Sequence, residues 1–199
     1  MTQQNIKPYS EVRGLIRDGD LLLFRGRGFV SRVIGVAGRS SYSHAGVACW
    51  WHDDLFLLEV QRTGGRAVLL SRQVKRHPGR WDVFGGKDMT EMSTDAFAGA
   101  SARFMRQLCG CPYGFVGLAT AALLHLPFVR CFVQPGMDDS ARDRRPPFCS
   151  QAVAMAYRIG GGIDPVPRLA DKLTEPGDLA RSGFFRKRFT LGWEGERRT

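Results

Sequence analysis

A chain of 199 residues that is 43% hydrophobic, 24% charged and 11% aromatic lies inside the ordinary globular range, which excludes disordered and fibrous proteins. At this length one domain can bury roughly 70% of its unfolded surface, so a core needs neither disulfides nor metal, and a single domain over residues 1–199 is expected. Twenty-nine basic against nineteen acidic residues leave a net charge of +10, which invites an anionic partner: a nucleic acid, an anionic membrane or an envelope polymer.

The predicted elements begin after a polar N-terminus, Met1 to Tyr9, which has no apolar stretch of signal-peptide type. Together with five cysteines in no regular framework, this predicts a reducing, cytoplasmic setting. Tyr9 to Arg17 reads as a short helix ended by Asp18-Gly19-Asp20, followed by Leu21 to Phe24 as a buried strand and Phe29 to Val36 as a second short helix. Ser43 to Trp51 and Leu55 to Gln61 are apolar runs around the turn residues Trp51-His52-Asp53-Asp54, which predicts a β-hairpin. Ala67 to Ser71 and Trp81 to Phe84 extend that sheet as a meander, with Arg72 to Arg80 as a basic loop between them.

The second half is helical. Met92 to Leu108 carries Phe97, Ala100, Phe104 and Leu108 on one face and stops at Gly110-Cys111-Pro112. Gln107 to Val129 has no formal charge, but its glycines and prolines make it a buried helix rather than a membrane span. Val133 to Pro147 reads as a surface loop, and a helix opens at Cys149 and ends at Gly160 to Gly162. Strands first and helices second predict an α+β fold.

The residues that carry chemistry stand in those elements. Pro146-Pro147 bar helix and the run from Cys149 to Tyr157 favours it, so Cys149 falls in a first helical turn, where free N–H groups and the helix dipole stabilise a thiolate. The same N–H groups suit an oxyanion. His44 is a histidine in a run otherwise apolar on both faces, and Glu59 is the acid in Leu55 to Val60. An even hairpin loop puts the two on one face, opposite or one diagonal apart; an odd loop separates them. Same-face placement gives a base held by a carboxylate, which is what a cysteine nucleophile requires. Against this stands a His-Glu pair that only satisfies itself in the sheet, and a Cys149 that is a small buried helix residue. Cys109-Gly110-Cys111 has no partner pair at metal spacing, and neither Gly26-Arg27-Gly28 nor Gly160 to Gly162 has the Lys and Ser/Thr of a phosphate loop. No metal and no cofactor are expected.

Asp18 to Gly26, Ser43-His44-Ala45-Gly46-Val47, Leu58-Glu59 and Phe148-Cys149-Ser150-Gln151-Ala152-Val153-Ala154, in that order, resemble the circularly permuted branch of the NlpC-type papain-like cysteine hydrolases, the YiiX/YebB-like group. The resemblance runs from about Gly19 to Leu179 and includes Glu175-Pro176-Gly177-Asp178-Leu179. It implies a papain-like α+β fold in permuted order, antiparallel sheet first and nucleophile helix last. It implies Cys149 as nucleophile, His44 as general base and acid, and Glu59 orienting His44. Tyr113, in Cys111-Pro112-Tyr113-Gly114, resembles the tyrosine that borders the site in this superfamily, which implies a substrate-binding role.

The expected activity is therefore amide hydrolysis through an acyl-enzyme on Cys149. The resemblance points to a peptide, peptidoglycan-type or acyl substrate, and the basic stretches Arg62 to Arg80 and Arg142 to Arg145 offer a grip for an anionic one. A cytoplasmic chain meets a cell wall only by lysis, delivery or recycling, which leaves open a phage-encoded or delivered protein. Two rivals stand beside it. One is a lipid acyltransferase or lipid hydrolase, since lecithin:retinol acyltransferase looks like a distant permuted relative and Phe115 to Val129 could approach a bilayer. The other is a non-catalytic basic module for nucleic acid or phage assembly.

Overall fold

The computed structural model describes residues 5–26, 40–86, 99, 101–115, 146–167 and 169–193. β1 (Ile6–Pro8) runs into α1 (Tyr9–Val12) and a 3-10 turn, Arg13–Leu15, before β2 (Leu21–Phe24). Then come β3 (His44–Trp51), β4 (Asp54–Gln61), β5 (Gly64–Leu69), α2 (Leu70–Arg76) and β6 (Trp81–Gly86). A helix over 101–107, α3, precedes α4 (Cys149–Met155), which continues as a π-helical turn over Ala156–Gly160. α5 (Pro176–Arg181) and β7 (Phe185–Gly192) follow.

The strands form one sheet in the order β1-β7-β6-β2-β3-β4-β5. It is covered on both faces, which is why its strands read as continuous apolar runs instead of alternating ones. Leu21, Leu23, Ala45, Val47, Cys49, Leu58 and Val60 pack on one face against Ala102 and Met105 of α3, Ala152 and Val153 of α4 and Leu179 of α5. Leu22, Ala48, Leu55 and Leu57 point the other way, onto Tyr9 and Val12 of α1 and Leu70 and Val74 of α2. Leu21, Leu22 and Leu23 are all fully buried, and each burial contributes about 1.5–3 kcal/mol.

α4 is fastened to the entry of β2. The Tyr157 hydroxyl, in the π-helical turn, donates to the Gly19 carbonyl, and Gly19 turns there with φ +80°. Asp18 and Asp20 flank it, Asp18 Oδ1 accepting the Trp50 amide and Asp20 Oδ2 accepting the Arg17 amide and, at 3.1 Å, the Arg188 guanidinium. The Asp18-Gly19-Asp20 stretch is thus a structural joint between β2, β3, β7 and α4 with its π-helical turn. Gly162, at φ +76°, follows the last turn of that helix.

Several expectations need correction. β6 leaves the meander: it pairs with β2 and β7, and β2, β3, β4 and β5 follow one another across the sheet. The reason lies in residues 70–76, which form α2 and not part of a basic loop, because Leu70 and Val74, one helical turn apart, both bury in the core. The sheet is mixed, since β1 runs parallel to β7. The helix expected to carry the nucleophile, α4, does not come last: α5 and β7 follow it, and β7 fills the place between β1 and β6. Its Thr190 meets a fully buried Asp82 on β6, whose carboxylate also takes Tyr42, Arg25 and Lys187. The helix expected over Phe29 to Val36, the first part of Met92 to Leu108, the apolar run beyond Phe115 and nearly all of the Val133 to Pro147 loop, with Arg142, Arg144 and Arg145, lie outside the described residues.

Candidate active site

The β3–β4 hairpin closes through a two-residue turn, His52-Asp53, with Trp51 opposite Asp54; His52 takes φ +51°. The loop is therefore even. Register pairs Gly46 with Glu59, so His44, two residues before Gly46, shares the face of Glu59 on the diagonal. His44 Nε2 lies 2.6 Å from Glu59 Oε2. Gly46 leaves room for that diagonal: a Cβ there would sit 2.6 Å from the Leu58 carbonyl oxygen and 3.4 Å from Glu59 Cβ.

Phe148 caps α4 in an extended conformation, so Cys149 is its first residue and meets the beginning of β3. Cys149 is 5% exposed; its thiol makes a hydrogen bond with the His44 ring, and the amides of Ala45 and Ser150 also point at the sulfur. Since Glu59 takes Nε2, the nitrogen left for the sulfur is Nδ1. Burial alone raises the Cys149 pKa, but the His44 charge and the two amides outweigh it and hold the thiol below its usual range. For His44 burial opposes the charge, and Cys149 and Glu59 overcome it, lifting the ring well above the ordinary imidazole range. Both shifts favour one state, thiolate beside imidazolium.

Glu59 has a fully buried side chain and must be compensated. Arg66 on β5 reaches Oε1 through Nε at 2.9 Å and through its terminal nitrogen at 2.7 Å. Gln61 Nε2 donates to Oε2 at 3.0 Å, and the Gln61 carbonyl oxygen accepts from Arg66 at 2.8 Å. Burial pushes the Glu59 carboxyl up, yet His44 and Arg66 bring it below the usual carboxylate value. Sequence reasoning counted Arg66 among cations available to a substrate and passed over Gln61; both are spent on Glu59. A polar residue two positions after a buried acid, and a cation across the next hairpin, are the signals that could have revealed them.

Tyr113 packs against Phe148 and Cys149. The segment before it is laced to the β4–β5 turn: Gly65 donates to the Cys111 carbonyl at 2.8 Å and Gly110 to the Gly65 carbonyl at 2.7 Å. Any side chain at Gly65 would strike the Leu108 carbonyl, 1.8 Å from a built Cβ. Gly114 then donates to Pro147 at 3.1 Å. These bonds bring together two stretches far apart in sequence and set the tyrosine beside the sulfur. Burial and the Cys149 charge keep its phenol protonated far above neutral pH, with Arg62 working weakly against them.

Of the cations between Val60 and Arg80, Arg72, Lys75 and Arg76 ride on α2, which packs on the sheet face opposite α4. Arg62, exposed in the β4–β5 turn, is the one whose charge bears on Tyr113. Among the described residues no group of three or more His, Cys, Asp and Glu is placed to hold a metal, and no helix is long and apolar enough to cross a membrane.

No protein-family model matches the chain. No curated protein matches its sequence either. Its fold is similar to that of the crystal structure of metalloprotein yiiX from Escherichia coli O157:H7, with a TM-score of 0.60 over 89% of this chain and 98% of that one, at 15% identity. The likeness is one of fold: a YiiX-like α+β architecture with its mixed seven-stranded sheet.

Proposed function

We propose that the protein is a thiol hydrolase that cleaves an amide bond, in a peptide or a cell-wall-type polymer, through an acyl-enzyme on Cys149. The observation that carries this reading is the unbroken chain of contacts from Cys149 through His44 to Glu59, three residues from three elements meeting at one strand end. The thiolate attacks the carbonyl carbon and the carbonyl oxygen takes the negative charge. The imidazolium Nδ1 gives its proton to the leaving nitrogen as the C–N bond breaks, leaving a thioester. Water then attacks the thioester, His44 takes the water proton, and the thiolate departs with the acid released. Throughout, Glu59 holds Nε2–H, which keeps Nδ1 directed at the sulfur.

The yiiX protein of similar fold is described as a metalloprotein. The residues here do not fit that role: Glu59 Oε1 is taken by Arg66, Oε2 by Gln61 and His44, and His44 Nε2 by Glu59. No step is routed through a metal.

Rates of Cys149 alkylation against pH, read by mass spectrometry alongside Cys49 and Cys109, test the reading without a substrate. Cys149 should react fastest well below pH ~8 and slow in His44→Ala. A Cys149 as slow as buried Cys49, and indifferent to His44, would sink it, and strong salt-dependent nucleic-acid binding would then favour a non-catalytic basic module. Amide model substrates and anionic liposomes separate hydrolase from lipid enzyme, because only the latter has to bind the vesicles.

A further inference from the structure

We propose that Arg66 is a positioning residue of this site, a fork on Glu59 that sets how firmly His44 keeps its proton and thereby how much of Cys149 is thiolate. This role rests on the Cys149–His44 chemistry proposed above. Glu59 is fully buried, and its carboxylate must turn one oxygen toward His44 Nε2 and keep it there. Two nitrogens of one guanidinium fix the other oxygen, at 2.9 and 2.7 Å. A planar fork of this kind resists rotation of the carboxylate, which a single ammonium does not. Gln61 closes the arrangement, accepting from Arg66 at 2.8 Å and donating to the His44-facing oxygen at 3.0 Å. Every oxygen direction on Glu59 is thus assigned before a substrate arrives. Arg66 itself comes from a different strand, and its hydrogen bonds go to Glu59 and Gln61, so it acts on the imidazole through Glu59.

Two physical effects of removing Arg66 run in opposite directions. Loss of a nearby positive charge, by itself, makes protons bind more tightly everywhere, so the Cys149 and His44 titrations both move up. Loss of the fork frees Glu59 to swing away from Nε2, so the imidazolium loses its partner. The His44 titration then moves down and the Cys149 titration moves up, each toward the other. Positioning predicts the second pattern.

The full chain carrying Arg66→Met, Arg66→Lys or Gln61→Leu, compared with the wild type, decides between them. Cys149 is titrated by its alkylation rate with iodoacetamide and His44 by the nitrogen shifts of its ring in NMR, with thermal unfolding as the control for folding. In Arg66→Met the two titrations should approach each other by roughly one pH unit each, about a tenfold change at a fixed pH on the flank. Arg66→Lys keeps the charge without the fork and should behave more like Met than like Arg. Gln61→Leu, which changes no charge, should give a smaller shift of the same sense and keeps the test available if Arg66→Met unfolds. Titrations that both move up, that stay put, or that Lys restores fully overturn the positioning role. If wild-type Cys149 is itself unreactive and indifferent to His44, the hydrolase reading fails instead.

Discussion

Replacing Glu59 by glutamine changes one atom pair and should disable the site through proton bookkeeping. Among the described residues the groups facing the carboxylate are donors: Arg66 on Oε1, and His44 Nε2 and Gln61 Nε2 on Oε2. An amide has a single accepting oxygen. The Arg66 fork holds that oxygen on its own side, so the amide NH2 meets His44. The ring must then accept at Nε2 and carry its proton on Nδ1, the nitrogen that should take the proton from sulfur. A hydrogen bond to a charged group is worth about 1.5–3 kcal/mol, which lowers the His44 pKa by roughly one to two units and raises that of Cys149 by a similar amount. The ultraviolet absorbance of the thiolate, taken as a difference from Cys149→Ala and titrated with pH, reads the shift directly. Amide turnover should fall by at least about tenfold at neutral pH. A Glu59→Gln protein with native thermal stability, and a thiolate titration within about 0.3 units of the wild type, would refute the role of Glu59 and the tautomer argument with it.

Gly46→Ala should lower stability by about 1–3 kcal/mol in urea unfolding, because the new Cβ meets the Leu58 carbonyl oxygen at 2.6 Å; it should also slow Cys149 alkylation by displacing Glu59, and a protein as stable and reactive as the wild type would contradict the packing described. Burial pushes the Asp20 carboxyl up to about 6, against the opposing Arg17 amide and Arg188 guanidinium. Since that value lies above the unfolded one of 3.8, the folded state holds more protons in the window between them, and stability is lost as pH rises through it, on the order of 3 kcal/mol. Asp20→Asn should remove that part of the pH dependence in paired unfolding curves; parallel curves would show that Asp20 titrates normally. Arg62→Glu should weaken binding of anionic substrates several-fold, because the Arg62 charge acts on Tyr113 beside Cys149; an unchanged KM would remove Arg62 from the substrate grip.

Local chemistry made much of this legible in the sequence. The hairpin followed from two apolar runs around His52-Asp53, and an even turn at once places His44 and Glu59 on one face, since side chains alternate with period two. Cys149 at a helix start followed from Pro146-Pro147 and the alanine-rich run after them. Both rest on interactions within a few residues. The tertiary structure alone decided the rest. β6 could join β5 or β2 on pattern alone, and β2 and β7 claim it because their pairing closes a sheet covered by helices on both faces and gives buried Asp82 its cationic partners Arg25 and Lys187. Phe185 to Gly192 lay in a region read as helical, and its strand exists because β1 and β6 leave a place between them. Arg66 looked like a free surface cation, since charge is visible in a sequence and the buried carboxylate that claims it is not. Tyr113 is set beside Cys149 by long-range backbone bonds, Gly65 with Cys111 and Gly110 at the start of β5 and Gly114 with Pro147. A sequence determines which side chains one strand or helix can present; which of them meet depends on long-range packing, where distant segments compete to bury the same surface.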